Sequence, residues 1–377
     1  MSGLCKSERP NPAQLAMIVV VWLAINLIAS KSEVSLQAQP TDPFPSRESV
    51  HVGVLGLFRP QEFRLSAREG EALVVQAGAQ SITLEKSSGV ESTTIKIADS
   101  QVIVMAGDRT LRASSITVTG RQNEPVDFVL AIPGKITRRY RGILEMIPSS
   151  GSLMAVVTLD LETAVGSVVA AESDADTPLE ALKAQAVATR SYFISGRGRH
   201  REFDFCDTTH CQFLRNPPAS GSVAAKAVEA TRGLVLEYNT HPFAAMYTPS
   251  CSGRTRTPSE LGLSTGAYPY YAVDCEYCRA HPVRWSSRIS VRDAKVLRVS
   301  DEMSRLSAVR RLGWSAVPSN DFSKTTDGDH VVLNGTGRGH GIGLCQSGAK
   351  AMAAEGASFL EILKHYYPNS SVVLWRR

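Results

Sequence analysis

Between His51 and about Thr137 the chain is written in short bursts: VHVGVLGLF, EALVVQA, SITLEK, TTIKIA, QVIVMA, SSITVTG and DFVLAI, separated by Gly, Asp, Ser and Pro. Each burst either alternates apolar and polar positions or is rich in β-branched residues, the rhythm of successive short strands. Residues 49–138 are therefore expected to form a small all-β module. After about Tyr140 the period changes. Strand-like segments LMAVVTLD, GLVLEY and FAAMYT are mixed with helical patterns at 161–171, 178–195, 223–232, 347–355 and 358–366. The fold class expected is α+β, a mixed helix/strand domain over 139–377 preceded by the β module.

The helix boundaries carry their own signals. Thr177, Pro178 and Glu180 read as an N-cap, a proline at the first helical position and the acid of a capping box, and Leu179, Leu182, Ala186 and Val187 give one apolar stripe. Ser358 and Glu361 repeat the capping box after the helix stop Gly356. Glu172 has no such structural task. It closes the run SVVAAE ahead of the signalled helix, without a local partner.

At the amino terminus Lys6 and Arg9 precede an apolar segment at 15–29, broken only by Asn26. A spanning helix needs roughly 20 apolar residues, so 1–30 is expected to be an export signal, cut near Ser30 or Ala38, or else a retained anchor. Residues 31–48, with several prolines and small polar residues, read as a linker. The remainder is expected in the cell envelope, with membrane contact only through the amino-terminal segment. The charge balance, 41 Lys and Arg against 36 Asp and Glu, is mildly basic without a like-charged block. That argues against a nucleic-acid partner and permits a weak preference for an anionic polymer.

Export changes the meaning of the cysteines. Cys5 lies before the signal, leaving Cys206, Cys211, Cys251, Cys275, Cys278 and Cys345. An even set in an oxidising compartment suits disulfides, whereas Cys206, His210 and Cys211 together, and the C-x-x-C of Cys275 and Cys278, suit a metal. Both readings stand at this point. The balance tips to zinc, because ligands packed this closely in CDTTHC chelate more readily than they form an unstrained disulfide. Cys275 and Cys278 would complete that site or form a separate pair near His281.

Two further stretches have the character of a site lining. GTGRGHGIGLCQSGAKA follows the strand VVLN, but its glycines do not give G-x-G-x-x-G, and Ala349 stands where a phosphate-binding loop needs lysine. Its glycines supply close approach around one polar side chain, His340. MYTPSCSGRTRT clusters Tyr247, Ser250, Cys251, Ser252 and Thr255 around Gly253. Ser250 or Ser252 could act as a nucleophile, yet no G-x-S-x-G elbow is present, and sugar-binding hydroxyls are the better reading.

The segments VVAAE, PLEALKAQAVATRSY, CDTTHCQ, YTPSCSGRT and GRGHGIGLCQSGA follow one another as in the SpoIID/LytB family of bacterial cell-wall proteins, which the chain resembles from about Tyr140 to Pro368. The resemblance implies a lytic transglycosylase of peptidoglycan glycan strands, in sporulation members strands stripped of peptides. It implies Glu172 as the catalytic acid. From the residues themselves, substrate contacts are expected at Arg190, Tyr247, Ser250, Thr255, His340, Gln346 and Ser347. The resemblance further implies zinc ligands at Cys206, His210 and Cys211, the metal being structural and not required for the chemistry. The family places Met and Pro after the acid, whereas this chain has Ser173 and Asp174, the latter a second carboxylate. Two other functions remain open: a wall-binding activator of a partner amidase, as in LytB-type relatives, and a water-using glycosidase with Asp174 or Asp207 as second carboxylate.

Overall fold

The structure is a computed structural model that describes residues 49–375. The expected export segment, the linker and Cys5 lie outside the described residues. Among the described residues no helix is long and apolar enough to cross a membrane.

The amino-terminal strands are β1 (Ser49–Val54), β2 (Glu62–Ala67), β3 (Leu73–Ala77), β4 (Gln80–Leu84), β5 (Ser92–Ala98), β6 (Gln101–Ala106), β7 (Arg109–Ala113), β8 (Ile116–Thr119), β9 (Val126–Ile132), β10 (Ile136–Ser149) and β11 (Ser152–Asp160). With β12 (Phe205–Cys206) they form one sheet in the order β12-β1-β11-β10-β9-β2-β5-β6-β7, with β8, β3 and β4 branching from β10. The result is a near-closed, mostly antiparallel β-barrel. Alternation drives it: β9 buries Val126, Phe128, Leu130 and Ile132 and turns the residues between them outward. The strands β2 and β7 are absent from the sequence expectation, because EFRLSA and RTLRA offer few apolar side chains among charged ones.

The expected boundary at 138/139 falls inside β10. The first half of this strand pairs with β9, and its second half with β11 on one edge and β8 on the other. Its buried side chains Tyr140, Leu144 and Met146 belong to a core that continues without interruption into the next two helices. Residues 49–375 fall within one compact unit.

Those helices are α1 (Leu161–Glu172) and α2 (Leu179–Ser195). The side chain of Asp160 caps α1, accepting from the backbone N–H of Glu162 at 3.1 Å and of Thr163 at 3.2 Å. The single buried stripe expected for α2 becomes an almost fully buried helix. Leu182, Ala186 and Phe193 face the barrel core, while Ala184, Val187 and Ala188 face a second core with Phe243, Tyr268, Leu344 and Tyr367. Alanines at the contacts let both layers approach. Glu180 does not close a capping box. It accepts from the backbone N–H of Phe359 at 2.8 Å and from Lys183 at 2.6 Å, and so ties α2 to a later helix.

The remaining elements are α3 (Val223–Ala230), β13 (Leu234–Tyr238), β14 (His241–Pro242), β15 (Tyr247–Thr248), α4 (Glu276–Ala280), β16 (Arg284–Ser290), α5 (Val291–Val296), α6 (Glu302–Leu312), β17 (Asp321–Asp327), β18 (His330–Thr336), β19 (Leu344–Cys345), α7 (Gln346–Ala354), α8 (Phe359–Tyr366) and β20 (Ser371–Leu374). The strands β16, β18 and β17 make a separate antiparallel sheet, and with α5 and α6 they enclose a third core of Ile289, Leu297, Val309, Phe322 and Leu333. The capping box of Ser358 and Glu361 forms as expected at the start of α8.

Candidate active site and the two thiol clusters

Glu172 is the last residue of α1 and is half-buried. Burial pushes its carboxyl up to about 7, against the downward pull of the Arg215 guanidinium and of a hydrogen bond from Gln346. Glu172 ends α1, whose carboxyl end adds negative partial charge. Ser173 terminates the helix in an extended conformation, its hydroxyl donating to the carbonyl of Val169. That local task explains a serine directly after the acid. Asp174, the rival carboxylate, is turned to solvent with 83% of its side chain exposed, 3.7 Å from Lys350.

Gln346 opens α7 beside Glu172. Its Nε2 donates to the backbone carbonyl of Glu172 at 3.2 Å and to Oε1 of Gln185 at 2.9 Å. Gln185 is buried, and its Nε2 has no hydrogen-bond partner among the described residues. Tyr247 completes this group. Its hydroxyl donates to Oε1 of Gln212, and burial together with the negative charge of Glu172 holds the phenol well above its usual range. Gln185 and Thr189 sit four residues apart on one face of α2, polar positions inside an apolar helix. That was the available signal for them in the sequence.

The glycine-rich run does what its composition suggested. Gly337, Gly339, Gly341 and Gly343 all adopt positive φ. At Gly343 a Cβ would collide with the carbonyl of Met246, so only glycine lets β19 run parallel to β15, with Tyr247 opposite Leu344 and Thr248 opposite Cys345. His340 is a structural residue of this turn. Its Nδ1 accepts from the N–H of Ile342 at 3.0 Å, its other side meets the backbone of Tyr247, and burial lowers its pKa to about 4. It stays neutral at physiological pH.

Four further residues expected at the substrate are engaged by the protein itself. Arg190 is fully buried and paired with Glu162 through Nε at 2.8 Å and Nη2 at 2.6 Å, with Nη1 donating to the carbonyl of Leu234 at 3.0 Å. Thr255 is fully buried and accepts from the N–H of Val273 at 2.8 Å. Ser250 is buried with its Oγ 3.5 Å from Cys278 Sγ. Ser347, half-exposed beside Gln346, donates to the carbonyl of Pro249 at 2.9 Å. The group around Glu172 is thus Gln346, Gln185, Tyr247, Thr189, Gln212 and Arg215.

Gln212 and Arg215 come from the cysteine/histidine loop. The strand β12 pairs in parallel with β1, setting Cys206 opposite Gly53, and Asp207 Oδ2 accepts from the N–H of Leu55 at 3.1 Å. Burial pushes Asp207 up to about 6. Arg215 lies over the Phe213 ring at 3.6 Å and donates to the carbonyl of Asp207 at 3.0 Å. Its charge reaches both Glu172 and Asp207.

The loop gathers four donors, and the sequence expectation lacked one of them, His200. The ligand atoms of His200, Cys206, His210 and Cys211 all lie within 4.8 Å of one another. His200 Nε2 is 3.2 Å from Cys211 Sγ, and His210 Nδ1 is 3.5 Å from Cys211 Sγ and 3.7 Å from Cys206 Sγ. A tetrahedral zinc with bonds of about 2.0–2.3 Å needs donor separations of about 3.5–3.8 Å, so two thiols and two imidazoles here fit that ion. His200 hides in the basic stretch GRGRHRE, where nothing marks it as a ligand. The six cysteines among the described residues are all free thiols. Cys275 and Cys278 do not complete this site. With Cys251 and Cys345 they form a second, fully buried cluster of a size that could hold a metal ion. His281 stands apart, exposed, its Nδ1 against the carbonyl of Tyr277.

Comparison with known proteins accords with this layout. Residues 149–238, from the end of β10 to the end of β13, match the SpoIID family, described as stage II sporulation protein. An uncharacterized protein of Brachyspira hyodysenteriae is 28% identical over 272 residues, covering 63% of this chain and 73% of that one. The amidase enhancer of Bacillus subtilis is 27% identical over 288 residues, 54% of this chain and 39% of its own length. Stage II sporulation protein D of Bacillus subtilis is 25% identical over 268 residues, 58% of this chain and 76% of its own. The chain carries a SpoIID family domain and is a distant homologue of stage II sporulation protein D and of the amidase enhancer.

Proposed function

We propose that the protein is a peptidoglycan lytic transglycosylase, with Glu172 as its single acid/base. The observation that carries this reading is a half-buried carboxyl held protonated to about pH 7 and surrounded by amide and hydroxyl groups instead of a second facing carboxylate. Glu172 gives its proton to the bridging oxygen as the glycosidic bond breaks, and the departing strand leaves with a free hydroxyl. The sugar's own hydroxyl then closes on the anomeric carbon and returns its proton to the Glu172 carboxylate, forming an anhydro end without consuming water. Gln346, Tyr247 and the unpaired Nε2 of Gln185 are suited to bind sugar hydroxyls. A hydrolase would need a second carboxylate at a set distance. Asp174 is at the surface with Lys350, and Asp207 is committed to the backbone of Leu55.

The ligands for a zinc ion in the loop would be His200, Cys206, His210 and Cys211. Such an ion would fix the loop and so hold Gln212 against Tyr247 and Arg215 near Glu172. No proton transfer passes through it. The cell wall as substrate, and export to reach it, belong to the same proposal.

Digestion of soluble, peptide-free glycan strands followed by mass spectrometry tests the reading. Anhydro ends support it, reducing ends point to a hydrolase, and intact strands point to a wall-binding role of the kind suggested by the amidase enhancer relative. The charge near the acid can be tested separately. Arg215→Gln removes a cation that pulls the Glu172 pKa down, so the alkaline limb of the pH-rate profile should move upward from about 7. An unmoved limb would remove Arg215 from the site.

A further inference from the structure

We propose that Cys251, Cys275, Cys278 and Cys345 form a structural zinc site, a mononuclear four-thiolate centre that clamps the roots of the 284–336 module to the floor of the Glu172 site. This site is independent of the catalytic reading. All four sulfurs are buried and lie within 4.8 Å of one another. The Cys278 and Cys345 sulfurs are 3.5 Å apart. Four thiolates at about 2.3 Å from one zinc are separated by about 3.8 Å, whereas a disulfide brings its sulfurs to about 2.0 Å. A cluster of several irons would hold its cysteines farther apart than this.

The surroundings are those of thiolates. The N–H of Cys251 donates to Cys345 Sγ at 3.3 Å, and the hydroxyls of Ser250 and Tyr366 lie 3.5 Å from Cys278 Sγ and Cys275 Sγ respectively. An N–H donated to sulfur, with two hydroxyls in reach, is a setting that stabilises negative charge there and orients metal ligands. Gly348 makes the arrangement possible. A Cβ at this position would collide with the Tyr366 hydroxyl and come within 2.6 Å of Cys275 Sγ. Loading balances as one Zn²⁺ and four thiols giving a zinc tetrathiolate with a net charge of −2 and four released protons.

The positions along the chain say what the clamp holds. Cys275 and Cys278 stand at the N-cap and third residue of α4, and Cys251 follows β15. Cys345 ends β19, pairs with Thr248 and immediately precedes Gln346. Between Cys278 and Cys345 the chain makes the β16-β18-β17 sheet with α5 and α6 around its own small core. One ion would therefore join both roots of that module to the β15/β19 pair that carries Tyr247 and presents Gln346.

The test is metal analysis with zinc-edge X-ray absorption on the full chain purified without chelator. With both clusters loaded, the expected result is two zincs per chain and a mean shell of three sulfurs and one nitrogen. A His200→Ala/His210→Ala double variant should keep one zinc bound by four sulfurs. A zinc-free double variant, zinc with fewer than four sulfurs, iron in its place, or recovery of the four cysteines as two disulfides would overturn the proposal. Should the double variant fail to fold, the wild-type shell decides: sulfur in excess of two per zinc supports the tetrathiolate, and two sulfurs with two nitrogens refutes it.

Discussion

Glu172→Gln should lower glycan cleavage by about 10²–10⁴-fold, the usual contribution of a general acid, while making the protein more stable above pH 7. The two effects have one origin. An unfolded Glu titrates near about 4.3, and the folded one is raised to about 7 because burial disfavours its charge. Below the unfolded value both states are protonated and the acid costs nothing. As pH rises from there to about 7 the unfolded state loses its proton first, so stability falls across that window and remains lower above it. The full shift corresponds to no more than about 4 kcal/mol, and partial exposure of the carboxyl reduces this. Glutamine keeps the shape and cannot ionise. Urea midpoints of wild type and variant should therefore agree at pH 4 and separate at pH 8, with the variant higher. Cleavage by wild type should decline as pH passes about 7, where the acid loses its proton. Full activity in a folded Glu172→Gln protein would eliminate the assignment, and equal stability differences at both pH values would eliminate its physical basis.

Much of this arrangement was legible in the chain, and what was not has a common cause. Alternation marks most of the barrel strands, and helical patterning places α1, α2 and α8 to within a residue or two, with a cap signal that forms at α8. Glu172 stands out because the sequence offers it no structural work. Local pattern does not report which face of an element is covered, however. Ser250, Thr255 and His340 have the chemistry of a sugar site, but the structure spends their polar atoms on sulfur or backbone groups. For Arg190 a clue existed. It continues the spacing of Leu182 and Ala186, placing it on a face that is buried. The four-cysteine cluster was illegible for another reason. Its members come from residue 251 to residue 345, and only the C-x-x-C pair is local. Likewise β10 hides the continuity of barrel and helices, since a strand shared by three partners looks no different in sequence from one with two.

Arg190→Ala should cost about 3–5 kcal/mol of stability, a large share of the roughly 5–15 kcal/mol available to a folded protein. The guanidinium is fully buried, and Glu162 is only 13% exposed. Their bidentate pair joins α1 to α2, and further bonds from Arg190 to the carbonyl of Leu234 and from the N–H of Gly233 to Glu162 bring in the start of β13. Alanine removes the cation and strands a carboxylate in a place chosen for a pair, which is why loss of one partner costs more than the pair itself is worth. Lysine should recover only part of the loss, because a single ammonium lacks the planar fork that serves two carboxylate oxygens and a carbonyl at once. Replacing both residues, Arg190→Met with Glu162→Leu, should be far milder than either single change, since no unpaired charge remains. A substrate-binding arginine would behave differently: its removal would leave the urea midpoint in place and raise KM for glycan strands. The midpoint and the KM of the folded fraction, measured on the same variants, decide whether Arg190 holds the acid-bearing helix or the sugar.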